Sequence, residues 1–252
     1  MNFYKKILVL LVWFLPLVVC GQHSHHYRKP DIGGELRLST GVNIELNEKW
    51  NFSIDNQFRL HTEGQAFDQN YLELGAEYNF WKNLEAGFSY RLIFKNDDKG
   101  NVQEAEVHHR FNFFASYKWK IERFALKLRG QYQAKKELFW ATNYFVGDVT
   151  RYWRLKTTLD YNFKKWKLDP KVSVEFFLRP ISYNRDQYNK YRLSLETGRK
   201  FGTQHHLDIK YTYEREMRSF NPEVLHIVQL KYTYKIKHKT QKYKDKNSTI
   251  DE

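Results

Sequence analysis

The sequence predicts an all-β protein, an up-and-down antiparallel transmembrane β-barrel of about 10–12 strands. Three observations predict it. Apolar and polar residues alternate with a period of two along most of the chain. The connections between alternating segments are short and long by turns, and tryptophans recur at the short ones.

The alternation starts with Leu36, Leu38, Val42, Ile44 and Leu46. Trp50, Phe52, Ile54, Phe58 and Leu60 set the second segment, and Leu72, Leu74, Ala76, Tyr78 and Phe80 the third. In LEAGFSYRLIF, the fourth, Leu84, Ala86, Phe88, Tyr90, Leu92 and Phe94 share one parity. Val107 to Trp119 and Phe124 to Tyr132 follow, then Val149 to Phe163 and Trp166 to Leu178. Tyr191 to Phe201, Leu207 to Tyr213 and Val224 to Ile236 bring the count to eleven segments. Most span more than the ~5–6 residues common in globular sheets. The region around Pro30 and Gly33–Gly34 is not expected to form regular strand, so the odd count is left without a partner.

Short connections are expected at 47–49, 81–83, 120–122, 164–165 and 202–204, with longer ones between them. That rhythm belongs to an up-and-down barrel rather than to a Greek key. Trp50, Trp81, Trp119 and Trp166 all sit at short turns and form a candidate aromatic girdle, where amphipathic rings favour a water–lipid boundary. Tyr90, Phe94, Phe139, Trp140, Tyr144, Tyr183, Tyr188 and Phe220 are candidates for a second girdle at the long loops.

The opposite parity carries the charges. Glu85, Arg91, Glu106, His108, Arg110, Lys127 and Arg129 are candidate lumen-facing residues, as are Arg154, Lys156, Glu175, Arg192, Glu196 and Lys210. On the apolar parity only Arg151 and Arg199 are charged, both near segment ends. Interleaved acids and bases can pair across strands and plug the lumen, or leave a narrow passage whose basic excess favours anions.

Composition narrows the class. Aromatic residues make up 17% of the chain, which argues against disorder despite a mean hydropathy of −0.75. No stretch beyond the N-terminus approaches the ~18 apolar residues of a membrane helix. The net charge of +13 is spread along the chain instead of gathered in a stripe, so nucleic acid is not an expected partner.

Residues 1–21, MNFYKKILVLLVWFLPLVVCG, have the basic start, apolar run and small-residue end of a signal peptide. Cys20, the single cysteine, stands where a lipoprotein would be processed, but Val19 is larger than such sites favour. Residues 22–32 are expected to be a flexible leader, 33–237 the barrel and 238–252 a disordered charged tail.

The segments YLELGAEYNFWKNLEAGFSYRLIF and YWRLKTTLDYNFKKWKLDPKVSVEFFL resemble an uncharacterised family of Bacteroidota outer-membrane barrels catalogued as domain of unknown function 2490. The resemblance spans residues 31–237 and rests on strand–turn rhythm and aromatic placement. It implies a fold and a location, and it carries no catalytic residues.

No catalytic, cofactor or metal site is assigned. His23, His25 and His26 offer imidazole without an accompanying carboxylate cluster and read as polar leader. His108–His109 and His205–His206 are neighbours on strands and point to opposite faces. Ser89, Ser173 and Ser194 share a parity with His108, but no local motif joins them. The functional expectation is an outer-membrane barrel, structural or passing small solutes or anions. Its partners are outer-membrane lipids, and its fold implies insertion by the barrel-assembly machinery. The alternatives are an outer-membrane enzyme acting on lipid or lipopolysaccharide, and a soluble periplasmic lipocalin-like barrel with its apolar face inward.

Overall fold

The computed structural model describes residues 31–62, 67–97, 104–137, 149–163, 168, 170–180, 188–217 and 221–237. The expected signal segment, Cys20, the leader histidines, Trp166 and the tail over 238–252 lie outside these residues. So do Phe139, Trp140, Tyr144, Tyr183 and Phe220.

Eleven strands form one closed barrel. They are β1 (Asp31–Glu45), β2 (Trp50–His61), β3 (Gln69–Trp81), β4 (Leu84–Asp97), β5 (Glu104–Ile121) and β6 (Phe124–Glu137). The second half comprises β7 (Thr150–Tyr161), β8 (Lys171–Leu178), β9 (Tyr188–Phe201), β10 (His205–Glu216) and β11 (Glu223–Lys237). Each strand pairs antiparallel with its neighbours in sequence, and β1 closes on β11 in parallel.

That parallel seam accounts for the odd count. In an up-and-down chain of eleven strands the first and last run in the same direction, so closure needs no twelfth strand. Leu38 faces Leu230 and Arg37 faces Gln229 across it. Ser39 Oγ accepts from Gln57 Nε2 of β2 at 2.8 Å and from Gln229 Nε2 of β11 at 3.3 Å, a polar bridge that spans the seam from inside. The chain enters β1 at the long-loop rim and leaves β11 at the short-turn rim.

Two expectations are corrected. The Gly33–Gly34 pair lies within β1, not ahead of it. The Thr62 amide donates to the Gly34 carbonyl at 3.0 Å, and a Cβ on Gly34 would stand 3.2 Å from Thr62 Cγ2. Glycine here permits close approach of the neighbouring chain. β8 also begins only at Lys171, so its preceding connection is longer than 164–165. Pro170 stands just before the strand, where its missing N–H costs no ladder bond, and its carbonyl accepts from the Tyr161 amide at 3.2 Å.

The two parities take opposite sides of the wall. Leu195, Ile209 and Leu74 are 55%, 53% and 48% exposed on the outer face. Buried on the inner face are Glu35, Arg37, Gln57, Asn112, Glu175 and Glu214. A lipocalin-like barrel would place the apolar parity inside; this barrel places it outside. Among the described residues, four charged ones point outward in the pairing pattern. Lys136 and Arg215 join the expected Arg151 and Arg199, and all four lie near strand ends.

Outward aromatic rings line the short-turn rim. Trp50 stacks on Phe52 and meets Tyr78 edge-on, with centroids 5.9 and 4.8 Å away. Tyr117 and Trp119 are 4.5 Å apart, and Tyr161 joins Phe124 and Phe163 at 4.7 and 4.5 Å. Trp81, at the end of β3, is 73% exposed. Toward the other rim, Tyr132 packs on Trp153 at 5.0 Å and Tyr90 on Phe111 at 5.2 Å.

Gly87 tests how tightly the inner face is filled. A Cβ there would come within 2.5 Å of the Phe114 ring and 2.9 Å of the Ala76 carbonyl oxygen. Gly87→Val is expected to cost about 1–3 kcal/mol through this overpacking. Urea unfolding of the purified barrel, compared with the original chain, measures it.

Candidate functional site

The candidate site is the barrel interior, built by a single inward parity. The structure points the thirteen polar candidates of the sequence analysis into it, from β4 (Glu85, Arg91), β5 (Glu106, His108, Arg110) and β6 (Lys127, Arg129). Arg154 and Lys156 come from β7, Glu175 from β8, Arg192 and Glu196 from β9, and Lys210 from β10.

They separate into two tiers. In the short-turn half several acids and bases pair off, while Arg129 and Lys156 have no carboxylate within 4 Å among the described residues. Glu85 accepts from Ser116 Oγ at 2.7 Å and pairs with Lys127. Glu196 meets Lys171 and Asp55 meets Lys231, each at 2.7 Å. Arg129 sits over the Phe114 ring, its Cζ 3.6 Å from the centroid.

In the long-loop half arginines outnumber their partners. Glu35 sits 2.5 Å from Arg37 and 3.5 Å from Arg59. Glu73 pairs with Arg91 and lies 3.8 Å from Arg110. Glu175 accepts from Arg154 Nη2 at 2.7 Å and is 4.0 Å from Arg192. Glu214 pairs with Arg192 and accepts from Lys190 Nζ at 2.6 Å. Each of these four carboxylates thus bridges two cations.

Aromatic rings hold the guanidinium planes. Phe177, 5% exposed, has Arg154 and Arg192 each 4.7 Å from its centroid. Tyr71 carries Arg91 at 3.6 Å. Such contacts are worth about 0.5–2 kcal/mol each, more as water is excluded, and they restrict flexible side chains to one orientation.

At this level lies a cavity of about 370 Å³. Arg37, Arg59, Arg91, Arg110, Arg154 and Arg192 line it, with Lys135, Lys190 and Lys210. Four glutamines, two tyrosines, Ile93 and Phe177 complete the wall, and among the described residues no carboxylate belongs to it. None of the four bridging glutamates is among its lining residues. A second cavity of about 680 Å³ shares six of these lining residues and reaches the long-loop rim at Asp31, His61, Asp68 and Lys95. The two form a vestibule of mixed charge leading to a basic chamber.

Not all candidates gather here. Glu85, Lys127 and Glu196 belong to the paired tier. His108 is 2.8 Å from Glu106. The serines lie apart from it: Ser89 accepts from Asn112 at 2.9 Å, and Ser194 bonds Thr212 at 2.9 Å. Among the described residues no group of three or more His, Cys, Asp or Glu is placed to hold a metal.

Lys135, Lys190, Tyr71, Tyr152 and Phe177 were not singled out from the sequence. The lysines follow from extending the parity of Lys127 and Arg192 along their strands. The buried apolar residues leave a fainter mark. Leu92–Ile93, Phe113–Phe114, Phe176–Phe177 and Ile227–Val228 are doublets in which both parities are apolar, and the second or first member turns inward.

A family model described as "Protein of unknown function (DUF2490)" matches residues 38–223, which contain β2 to β10 whole. The chain belongs to this DUF2490 family. No curated protein matches it. The family description names no activity for these DUF2490 barrels.

Proposed function

We propose that this DUF2490 protein is an integral outer-membrane barrel whose interior admits small solutes from the long-loop side. One observation carries the reading: the outer face of a closed barrel presents the apolar parity of every strand, while the buried face is polar. In water such a surface would be an aggregation liability, because soluble monomers rarely expose contiguous apolar patches above a few hundred Å². A bilayer removes the liability, and barrel closure satisfies all strand edges, which hydrocarbon demands.

Supporting features agree with it. Aromatic rings collect toward both rims of the outer face, and outward charges stay near strand ends. Most strands exceed the ~9–11 residues that cross a hydrocarbon core when tilted. Residues 1–21 have the pattern of an export signal. The chamber is continuous with a larger cavity that reaches the long-loop rim, so the long-loop half is the side a solute enters.

Membrane fractionation with heat-modifiable gel mobility tests the reading. The protein is expected in the detergent-extracted outer-membrane fraction, migrating faster unheated than boiled. Recovery as a detergent-free aqueous protein would overturn it.

A further inference from the structure

We propose that the basic chamber binds a small oligoanion, a free solute carrying two or more phosphate or carboxylate groups. This rests on the barrel reading above and names the class of solute its interior recognises.

Charge balance is the first ground. Among the described residues nine cationic side chains line the chamber, and the four carboxylates that pair with them lie outside its lining. Lys135 and Lys210 have no carboxylate within 4 Å among the described residues. Arg110 Nε is buried without a hydrogen-bond partner. Like charges held close together repel each other, the more so where the surroundings screen them weakly. An anion in the chamber supplies both the opposite charge and the missing acceptors.

Geometry sets the class. The nine cations come from eight strands and surround the space, so a monoanion on one wall leaves the opposite wall unmatched. Charges distributed over several groups match it. Six of the nine are arginines, whose planar forks suit carboxylate and phosphate oxygens. A volume of about 370 Å³ lies near the lower end of ligand pockets and suits a compact molecule. Phe177 and Tyr71 already hold four guanidinium groups in place, which lowers the ordering cost of binding. The chamber is walled by strands, so a headgroup tethered to acyl chains outside does not reach it.

The test uses the full chain, folded in a lipid-free, phosphate-free detergent and scored for heat-modifiable mobility. Calorimetric titration is run with pyrophosphate, with citrate and with spermidine, at constant ionic strength set by sodium chloride. Saturable binding of pyrophosphate or citrate near one equivalent is expected, and none of spermidine. The double variant Arg110→Gln, Lys210→Gln is expected to weaken that binding about tenfold or more, while Lys237→Gln, at the exposed end of β11, leaves it unchanged. Heats that follow ionic strength alone, or equal binding by the double variant, overturn the proposal. If the double variant does not fold, the original chain decides: pyrophosphate raises its Tm beyond an ionic-strength-matched chloride control, or the proposal fails. A folded, heat-modifiable barrel that takes no anion removes this inference and leaves the barrel reading; a chain recovered as an aqueous protein removes the barrel reading itself.

Discussion

Leu155→Arg is expected to destabilise the barrel in a bilayer by about 2–4 kcal/mol, the cost of an arginine at the lipid-facing midplane. Leu155 lies at the middle of β7, faces outward and is 44% exposed. Next to it on the chain, Arg154 points the other way and is paired with Glu175. The contrast is the informative part. In water an exposed leucine replaced by arginine changes stability by no more than about 0.5 kcal/mol, so a large loss is specific to hydrocarbon. The same substitution at Trp153, nearer the rim, should cost clearly less because the penalty falls toward the interface. Unfolding from liposomes by guanidinium, read by tryptophan fluorescence for Leu155→Arg, gives the number.

Glu175→Leu is expected to produce the largest loss from an interior position, about 3–5 kcal/mol. This carboxylate is 8% exposed and stands between Arg154 and Arg192, with Phe177 packed against both. Removing it strands the Arg154 guanidinium and leaves Arg192 with Glu214 alone, in a chamber that already has surplus positive charge. Breaking a buried pair by deleting one partner is costly in a way that replacing the whole pair is not. The double change Glu175→Leu, Arg154→Leu, which removes the whole pair and leaves Arg192 with Glu214, should therefore recover much of the loss. Equilibrium unfolding of the two variants side by side measures the difference, and the recovery identifies uncompensated charge as the cause.

The strand count and the face assignment were legible in the sequence for one physical reason. A two-sided wall imposes a period of two, and LEAGFSYRLIF keeps it over eleven residues. What that pattern could not supply was closure. Nothing in residues 31–45 or 223–237 distinguishes a parallel partner from an antiparallel one, because inward and outward alternation is identical for both. Gly33–Gly34 misled in the opposite direction, since glycine in a strand usually marks a break; here it accommodates Thr62 at the end of β2. The start of β8 was blurred because Trp166 and Leu168 continue the parity up to Pro170.

The candidate site was legible as a set of charges but not as an arrangement. Arg91, Arg110, Arg154 and Arg192 could be assigned to one face from sequence. That they converge at one height while Glu85, Lys127 and Glu196 pair off nearer the turns depends on the stagger between strands. That stagger is fixed by pairings such as Arg91 with Arg110 and Glu175 with Arg192. The aromatic supports were hidden for a different reason. Phe114 and Phe177 interrupt the polar parity, and an interruption reads as noise until the arginine stacked on it is seen.

The central claim is that the apolar parity faces lipid and the polar parity the interior. Nitroxide scanning of β4 tests it most directly. Single cysteines are placed in turn from Leu84 to Phe94 in a Cys20→Ser background, and the labelled barrels are reconstituted in liposomes. Collision rates with oxygen, which concentrates in hydrocarbon, are compared with those of a polar nickel chelate. Positions 84, 86, 88, 90 and 92 are predicted to favour oxygen, with the preference greatest at 88, while 85, 87, 89 and 91 favour the chelate or neither. An inverted period, or accessibility that does not alternate, would contradict the account.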